Sequence, residues 1–180
     1  MSEALPPAVL NDQAQKAYRE GQFSRAADLF EQAARALDAQ GQALDAAEMW
    51  NNVSVASLQA GDAARALRSA EGSDAVFAAQ QDFRRQGLAL GNQAAALEAL
   101  GQTNEALARY QRSSDALKQA GQPELRAVVL KSLSALQMRT GKRMEAMASM
   151  QIALENQKHL SLRERLLKSL LKVPFRMLKS

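Results

Sequence analysis

The chain has 180 residues, of which 47% are apolar, 4% aromatic and 23% charged, with 9 Gly, 4 Pro and no Cys. That composition supports an all-helical protein with a continuous core, and it excludes disulfides, thiol catalysis and cysteine-ligated metal. The net charge of +4 is uneven: from Ser161 onward six cations stand against one anion, whereas residues 1–160 hold 17 cations and 18 anions, so the basic character belongs to a tail.

In chain order, residues 1–7 read as a frayed N-terminus, with Pro6-Pro7 marking the approach to a helix and no basic-then-apolar pattern of a secretory signal. Four units follow, at about 8–40, 41–80, 81–120 and 121–160. Each is expected to hold two antiparallel helices: about 8–20 with 24–39, 43–60 with 63–79, 83–100 with 104–119, and 123–140 with 143–158. Ser24, Asp62 and Thr103 are the predicted N-caps. Pro123 sits in a first turn, where proline is tolerated. A final helix is predicted over about Ser161–Val173, with Pro174 ending or kinking it. No segment shows the sustained alternation of a strand. No run approaches the roughly eighteen apolar residues of a membrane span.

The units are copies of one another. Gly21, Gly61, Gly101 and Gly141 lie forty residues apart, each followed five residues later by Ala26, Ala66, Ala106 and Ala146. Four further on stand Phe30, Ala70, Tyr110 and Met150, and three beyond those Ala33, Ser73, Ser113 and Ala153. Gly41 and Gly121 fall halfway between these turns, with Gln81 and Ser161 completing a twenty-residue series. Glycine after a helix suits the left-handed residue of a C-terminal cap. The alanines mark close crossings, where a larger side chain would overpack. Leu90, Ala94 and Leu97 form a core stripe on the first helix of unit three, and Trp50, Val53 and Ser57 do so in unit two. Met138, Met144, Met147 and Met150 read as core filling.

The pattern resembles the tetratricopeptide repeat (TPR), in a forty-residue variant of its usual 34-residue period. The resemblance covers about residues 8–158 and rests on the four in-phase copies and on Trp50 at an aromatic position of the first helix. The proline that commonly follows the second helix is missing. The resemblance implies an all-α, right-handed TPR-like solenoid of four helix-turn-helix repeats plus a C-terminal capping helix. It also implies a concave groove, lined by the first helices, that holds an extended peptide or a helix from another protein.

Shifting by forty gives four equivalent stripes along the first helices: Ala8/Asp12/Gln15/Arg19, Glu48/Asn52/Val55/Gln59, Leu88/Asn92/Ala95/Ala99 and Val128/Ser132/Ala135/Arg139. From these come the expected partner-binding residues Asn52, Val55, Gln59, Asn92, Ala95, Ala99, Lys131, Ser132 and Arg139. Asn52 and Asn92 could clamp a peptide backbone, since an Asn amide both donates and accepts. Equally, they could bond between neighbouring first helices and only stabilise the stack. Ala95 and Ala99 leave space for a ligand side chain, and Arg139 with Lys131 could meet an acidic group. In the unit-one groove, Asn11, Asp12 and Gln15 put acid where a chaperone-tail clamp needs a cation, which disfavours that ligand.

The tail, residues 161–180, is a basic amphipathic segment. Leu162, Leu166, Leu170 and Val173 form one apolar stripe, widened by Leu167 and Leu171. It reads as a capping helix; the alternatives are contact with an anionic membrane or with a partner helix through Lys168, Lys172, Phe175 and Arg176. Sparse aromatics and cations confined to one end argue against nucleic acid. The single His159, the scattered carboxylates and the turn-bound glycines offer no catalytic constellation, metal site or cofactor site. The expected function is therefore a non-enzymatic, cytoplasmic protein–protein interaction scaffold. The alternatives are a peripheral membrane tether and a homo-oligomeric structural module in which the tail docks on a second copy.

Overall fold

The computed structural model describes residues 5–157 and 159–177. Within them the helices are α1 (Pro7–Arg19), α2 (Phe23–Ala39), α3 (Ala43–Gln59), α4 (Ala63–Ala70), α5 (Ser73–Ala79), α6 (Phe83–Ala99), α7 (Thr103–Gln119), α8 (Pro123–Arg139), α9 (Arg143–Glu155) and α10 (Leu162–Met177). Successive helices pack on one another except across the α4–α5 break, where α4 and α5 each pack on α3 and α6, and α6 also packs on α3. The result is a stack of helix pairs in which α1, α3, α6 and α8 are the first helices.

The twenty-residue period is built by one repeated turn. Gly21, Gly41, Gly61, Gly101, Gly121 and Gly141 all take left-handed φ between 64° and 84°, and Gln81 takes the same place at φ 56°. In all seven turns the N–H of the next residue reaches back five positions: Gln22 to Ala17 O, Gln42 to Leu37 O, Asp62 to Ser57 O, Asp82 to Phe77 O, Gln102 to Leu97 O, Gln122 to Leu117 O and Lys142 to Gln137 O, all at 2.9–3.0 Å. These bonds satisfy carbonyls that a helix end otherwise orphans, and the left-handed residue makes them reachable.

The other helix ends differ from expectation. Asp62 does cap α4, accepting from Arg65 N, and Asp82 caps α6 the same way. Ser24 and Thr103 are not caps: they lie inside their helices, behind Gln22 and Gln102. Pro174 does not end α10, which continues to Met177.

The repeated small residues sit where the spacing places them. Ala26, Ala66, Ala106 and Ala146 are completely buried, as are Ala33, Ser113 and Ala153. Leu90, Ala94 and Leu97 form a buried stripe. Trp50 is half-buried beside Val53, its Nε1 donating to Asp38 at 2.8 Å. Met138 and Met144 are exposed, so the expectation that all four methionines of unit four fill the core is corrected. The interior there is closed by Leu130, Leu133, Leu136 and Ala153 instead.

The second helix of unit two is not continuous over 63–79. Glu71 is extended (ψ 133°) and Gly72 left-handed (φ 80°), which splits it into α4 and α5. Ala70 stands at the bulky position that Phe30 and Tyr110 occupy elsewhere; beyond the break, fully buried Phe77 fills the interior beside Ala47 and Ala89. The break frees the Ala70 carbonyl. Buried Gln93 on α6 donates to it at 2.8 Å and to Asp74 Oδ1 at 2.9 Å. Arg112 on α7 also donates to Asp74, at 3.2 Å. A side-chain clamp from unit three therefore replaces the missing helical bonds.

Two glycines inside α6 are not terminators. A Cβ at Gly87 would stand 2.6 Å from Leu117 Cγ, and Ser113 Oγ donates to the Gly87 carbonyl at 2.6 Å. Gly87 lets α6 and α7 approach so closely that only a residue without a side chain fits.

Candidate functional site

Parts of the predicted stripes line two hollows on the first-helix face. One, of about 220 Å³, is lined by Gln15, Tyr18 and Arg19 of α1, Phe30 of α2 and Asn52 and Val55 of α3. The other, of about 500 Å³, is lined by Leu58 of α3, Ala95, Glu98 and Ala99 of α6, Tyr110 of α7, and Ser132, Ala135 and Arg139 of α8. The stripe positions meet because each turn returns the chain to the same place after forty residues. Five of the nine expected partner-binding residues line these hollows: Asn52, Val55, Ala95 and Ala99, which no internal pairing occupies, and Ser132, whose hydroxyl is hydrogen-bonded to Tyr110.

The remaining four stand differently. Asn92 is turned to the neighbouring helix, its Nδ2 donating to Asn51 Oδ1 at 2.9 Å, which is the stack-stabilising arrangement. Arg139 donates to Glu98, which also accepts from the Tyr110 hydroxyl at 2.8 Å. Lys131 is paired with Glu164 of α10 at 2.6 Å. Gln59 is exposed at the end of α3 and lines neither hollow. The cations expected to await an acidic ligand are thus engaged inside the protein.

The larger hollow is floored by the Tyr110–Glu98–Arg139 cluster. Burial, reinforced by the Glu98 carboxylate, pushes the Tyr110 phenol well above its usual range. The phenol stays a neutral donor, and Glu98 is balanced by Arg139, so this hollow presents small side chains over a charge-balanced floor. The smaller hollow is different. Tyr18 and Phe23 pack edge to face, with centroids 5.2 Å apart, and steady its aromatic wall. Among the described residues, Asn52 and Arg19 have no hydrogen-bonding or ionic partner there. Sequence reasoning named Gln15 and Arg19 as groove positions without choosing them, and it missed Tyr18 and Phe30 as walls. Tyr18 lies one residue off the stripe, and Phe30 carries the structural repeat signature.

Acid–base pairs tie successive units together outside the hollows. Arg65 meets Asp28 at 2.8 Å and Glu31 at 2.7 Å, and Arg35 also meets Glu31. The guanidinium of Arg35, then that of Arg65, holds the Glu31 carboxyl below the usual range. Arg85 joins Asp82 at 2.6 Å to Glu48 at 3.1 Å, and the Asp82 carboxyl is lowered first by the Arg85 backbone N–H it caps.

The tail also departs from expectation. Ser161 and Glu164 form a capping box: Glu164 accepts from the Ser161 N–H at 2.9 Å, and the Glu164 N–H donates to Ser161 Oγ at 3.3 Å. Lys168 donates to the Leu154 carbonyl at the end of α9 at 3.1 Å, and Leu171 is buried. Leu162 and Leu166, the stripe expected to cover the array's end, are exposed. Helix α10 docks through Glu164, Lys168 and Leu171: the lysine satisfies the Leu154 carbonyl at the end of α9, which a leucine cannot do. The expected contacts at Lys172, Phe175 and Arg176 lie outside the described side chains. His159 is exposed in the bend before α10. No helix among the described residues is long and apolar enough to cross a membrane.

No protein-family model matches the sequence, and no curated protein sequence does. Solved structures do match in fold. The crystal structure of nearly identical TPR-like repeats from a Podosopora anserina kinesin light chain candidate aligns over 96% of this chain and 96% of its own, with TM-score 0.53 and 16% identity. A single-substitution variant of the same repeats gives TM-score 0.54 and 15% identity over the same shares. A crystal structure of MamA protein aligns with TM-score 0.49 and 15% identity over 87% of this chain and 97% of its own. The fold is a TPR-like all-α solenoid, as the repeat signature implies.

Proposed function

We propose that the chain is a non-enzymatic protein–protein interaction scaffold that holds an extended peptide or a helix along its first-helix face. The observation that carries this reading is the smaller hollow. It joins an apolar wall of Tyr18, Phe30 and Val55 to the uncommitted polar groups of Arg19 and Asn52, with Gln15 beside them bonded to Asn11. An apolar pocket with a few convergent polar groups is the usual form of a recognition site. Asn52 would clamp a peptide backbone through one donor and one acceptor, and the aromatic wall would take one of the peptide's apolar side chains. The larger hollow, walled by Ala95, Ala99 and Ser132, would take a continuing segment.

The test is selection of a displayed library of unstructured peptides on the immobilised full chain, with enriched peptides then titrated calorimetrically. Binding should fall about tenfold in Asn52→Ala, the loss of about one hydrogen bond to a backbone group, and further in Val55→Glu, with helicity unchanged. Enriched peptides that bind Asn52→Ala and Val55→Glu as tightly as the parent would remove the groove from consideration.

A further inference from the structure

Helix α10 presents two opposite faces. Its docked side is defined by Glu164, Lys168 and Leu171, which hold Lys131, the Leu154 carbonyl and the array respectively. These positions follow i, i+4, i+7 spacing and share one face at about 100° per residue. Leu162 and Leu166 lie roughly 180° away on the same count, and they are 84% and 64% exposed. In the sequence, Leu170 continues the i, i+4 series that Leu162 and Leu166 begin, and Val173 follows three residues on. The helix therefore docks through two charged residues and Leu171 and leaves Leu162 and Leu166 outside, where an ordinary surface helix turns polar residues.

The charges are sorted the same way. Residues 161–180 carry six cations and a single anion, Glu164. That carboxylate is turned inward to Lys131 and Ser161. Arg163 and Arg165, exposed on either flank of the leucines, have no ionic partner among the described residues. The outer side of the helix thus offers leucine between arginines with no compensating acid.

We propose that this outward face of α10 is an interfacial anchor for an anionic lipid bilayer, lying parallel to the membrane with Leu162 and Leu166 inserted and Arg163 and Arg165 against acidic headgroups. The charge complementarity selects this occupant. Leucines at the headgroup boundary flanked by cations are the recognised form of an interfacial helix. Two copies of the face placed against each other would bring Arg163 and Arg165 of both chains together with no acid between them. The anchor is independent of the hollows, which are lined by α1, α2, α3, α6, α7 and α8.

The test is flotation of the full chain with vesicles of phosphatidylcholine containing about a third phosphatidylglycerol, against vesicles of phosphatidylcholine alone. The chain should partition at least about tenfold better onto the anionic vesicles, and raised salt should release it. Leu166→Ser and Arg163→Glu/Arg165→Glu should each abolish the preference. These side chains are exposed and outside the docked face, so circular dichroism should match the parent. Equal recovery on both vesicle types, absence of the parent from anionic vesicles, or undiminished flotation of Leu166→Ser would overturn the assignment. Light scattering that finds a parent dimer and a Leu166→Ser monomer would assign the face to a second copy instead, and would equally overturn it.

Discussion

Replacing Gln93 by leucine should cost this protein more than any other single polar substitution in its interior. Gln93 is 3% exposed, and its amide donates to the Ala70 carbonyl and to Asp74. Ala70 is fully buried, and the split between α4 and α5 has taken away its helical donor. Leucine nearly matches glutamine in volume, so the cavity left behind is small and the cost is polar. Orphaning a buried carbonyl costs about 1–3 kcal/mol, and losing a bond to a charged acceptor adds about 1.5 kcal/mol. Asp74 keeps Arg112, which limits the second contribution. A loss of about 3 kcal/mol follows, on the order of a 6–12 °C fall in Tm for a chain of this size. Because an array unfolds in neighbouring pieces, the sharper assay is native-state hydrogen exchange. Amides of residues 63–79 should lose protection by about two decades, while those of α1 and α2 hardly change. A Gln93→Leu protein with unchanged exchange in α4 and α5 would refute the idea that this amide splints the broken helix.

Two further outcomes follow from local geometry. Gln81 occupies the left-handed turn position that glycine fills in the other six turns, so Gln81→Gly should stabilise by about 1 kcal/mol, read as a rise in the urea midpoint at constant slope. Lys131, then the Ser161 N–H and hydroxyl, hold Glu164 down to about 2, against 4.5 for an ordinary glutamate. Its contribution to docking α10 is therefore complete above about pH 4.5 and is lost as pH falls toward 2. A carboxyl-carbon NMR titration should place the Glu164 midpoint near 2 and move it upward in Lys131→Met; a parent midpoint at 4.5 would contradict the pairing.

The fold was legible because its signals recur. A single Gly-x4-Ala is weak, but six glycines at multiples of twenty announce the turns, and the buried alanines follow from the spacing. Even Gln81 was readable as a turn residue, since its neighbours in the series set its place. What escaped was unrepeated. Gly72 is out of phase with the series and is followed by Ser73 and Asp74, which is a helix stop and restart; it was hidden because the forty-residue template demanded one helix over 63–79. Gly87 inside α6 needed the position of Leu117, which no local pattern supplies.

The walls of the candidate hollows lie within about one residue of the predicted stripes, and one residue on a helix is about 100° of rotation. Asn92 and Asn52 occupy equivalent positions, yet Asn92 is turned to Asn51 while Asn52 faces the hollow. The difference lies in what stands next door. Asn51 offers Asn92 an oxygen across the α3–α6 contact, whereas the corresponding place for Asn52, on α1, is Asn11, which accepts from Gln15 on its own helix at 3.3 Å. Repetition delivers two identical side chains to identical backbone positions. The neighbouring unit then decides whether each is spent on the stack or left for a ligand, so the first helices of units one and two, not the cleanest repeat in unit three, carry the groove's uncommitted chemistry.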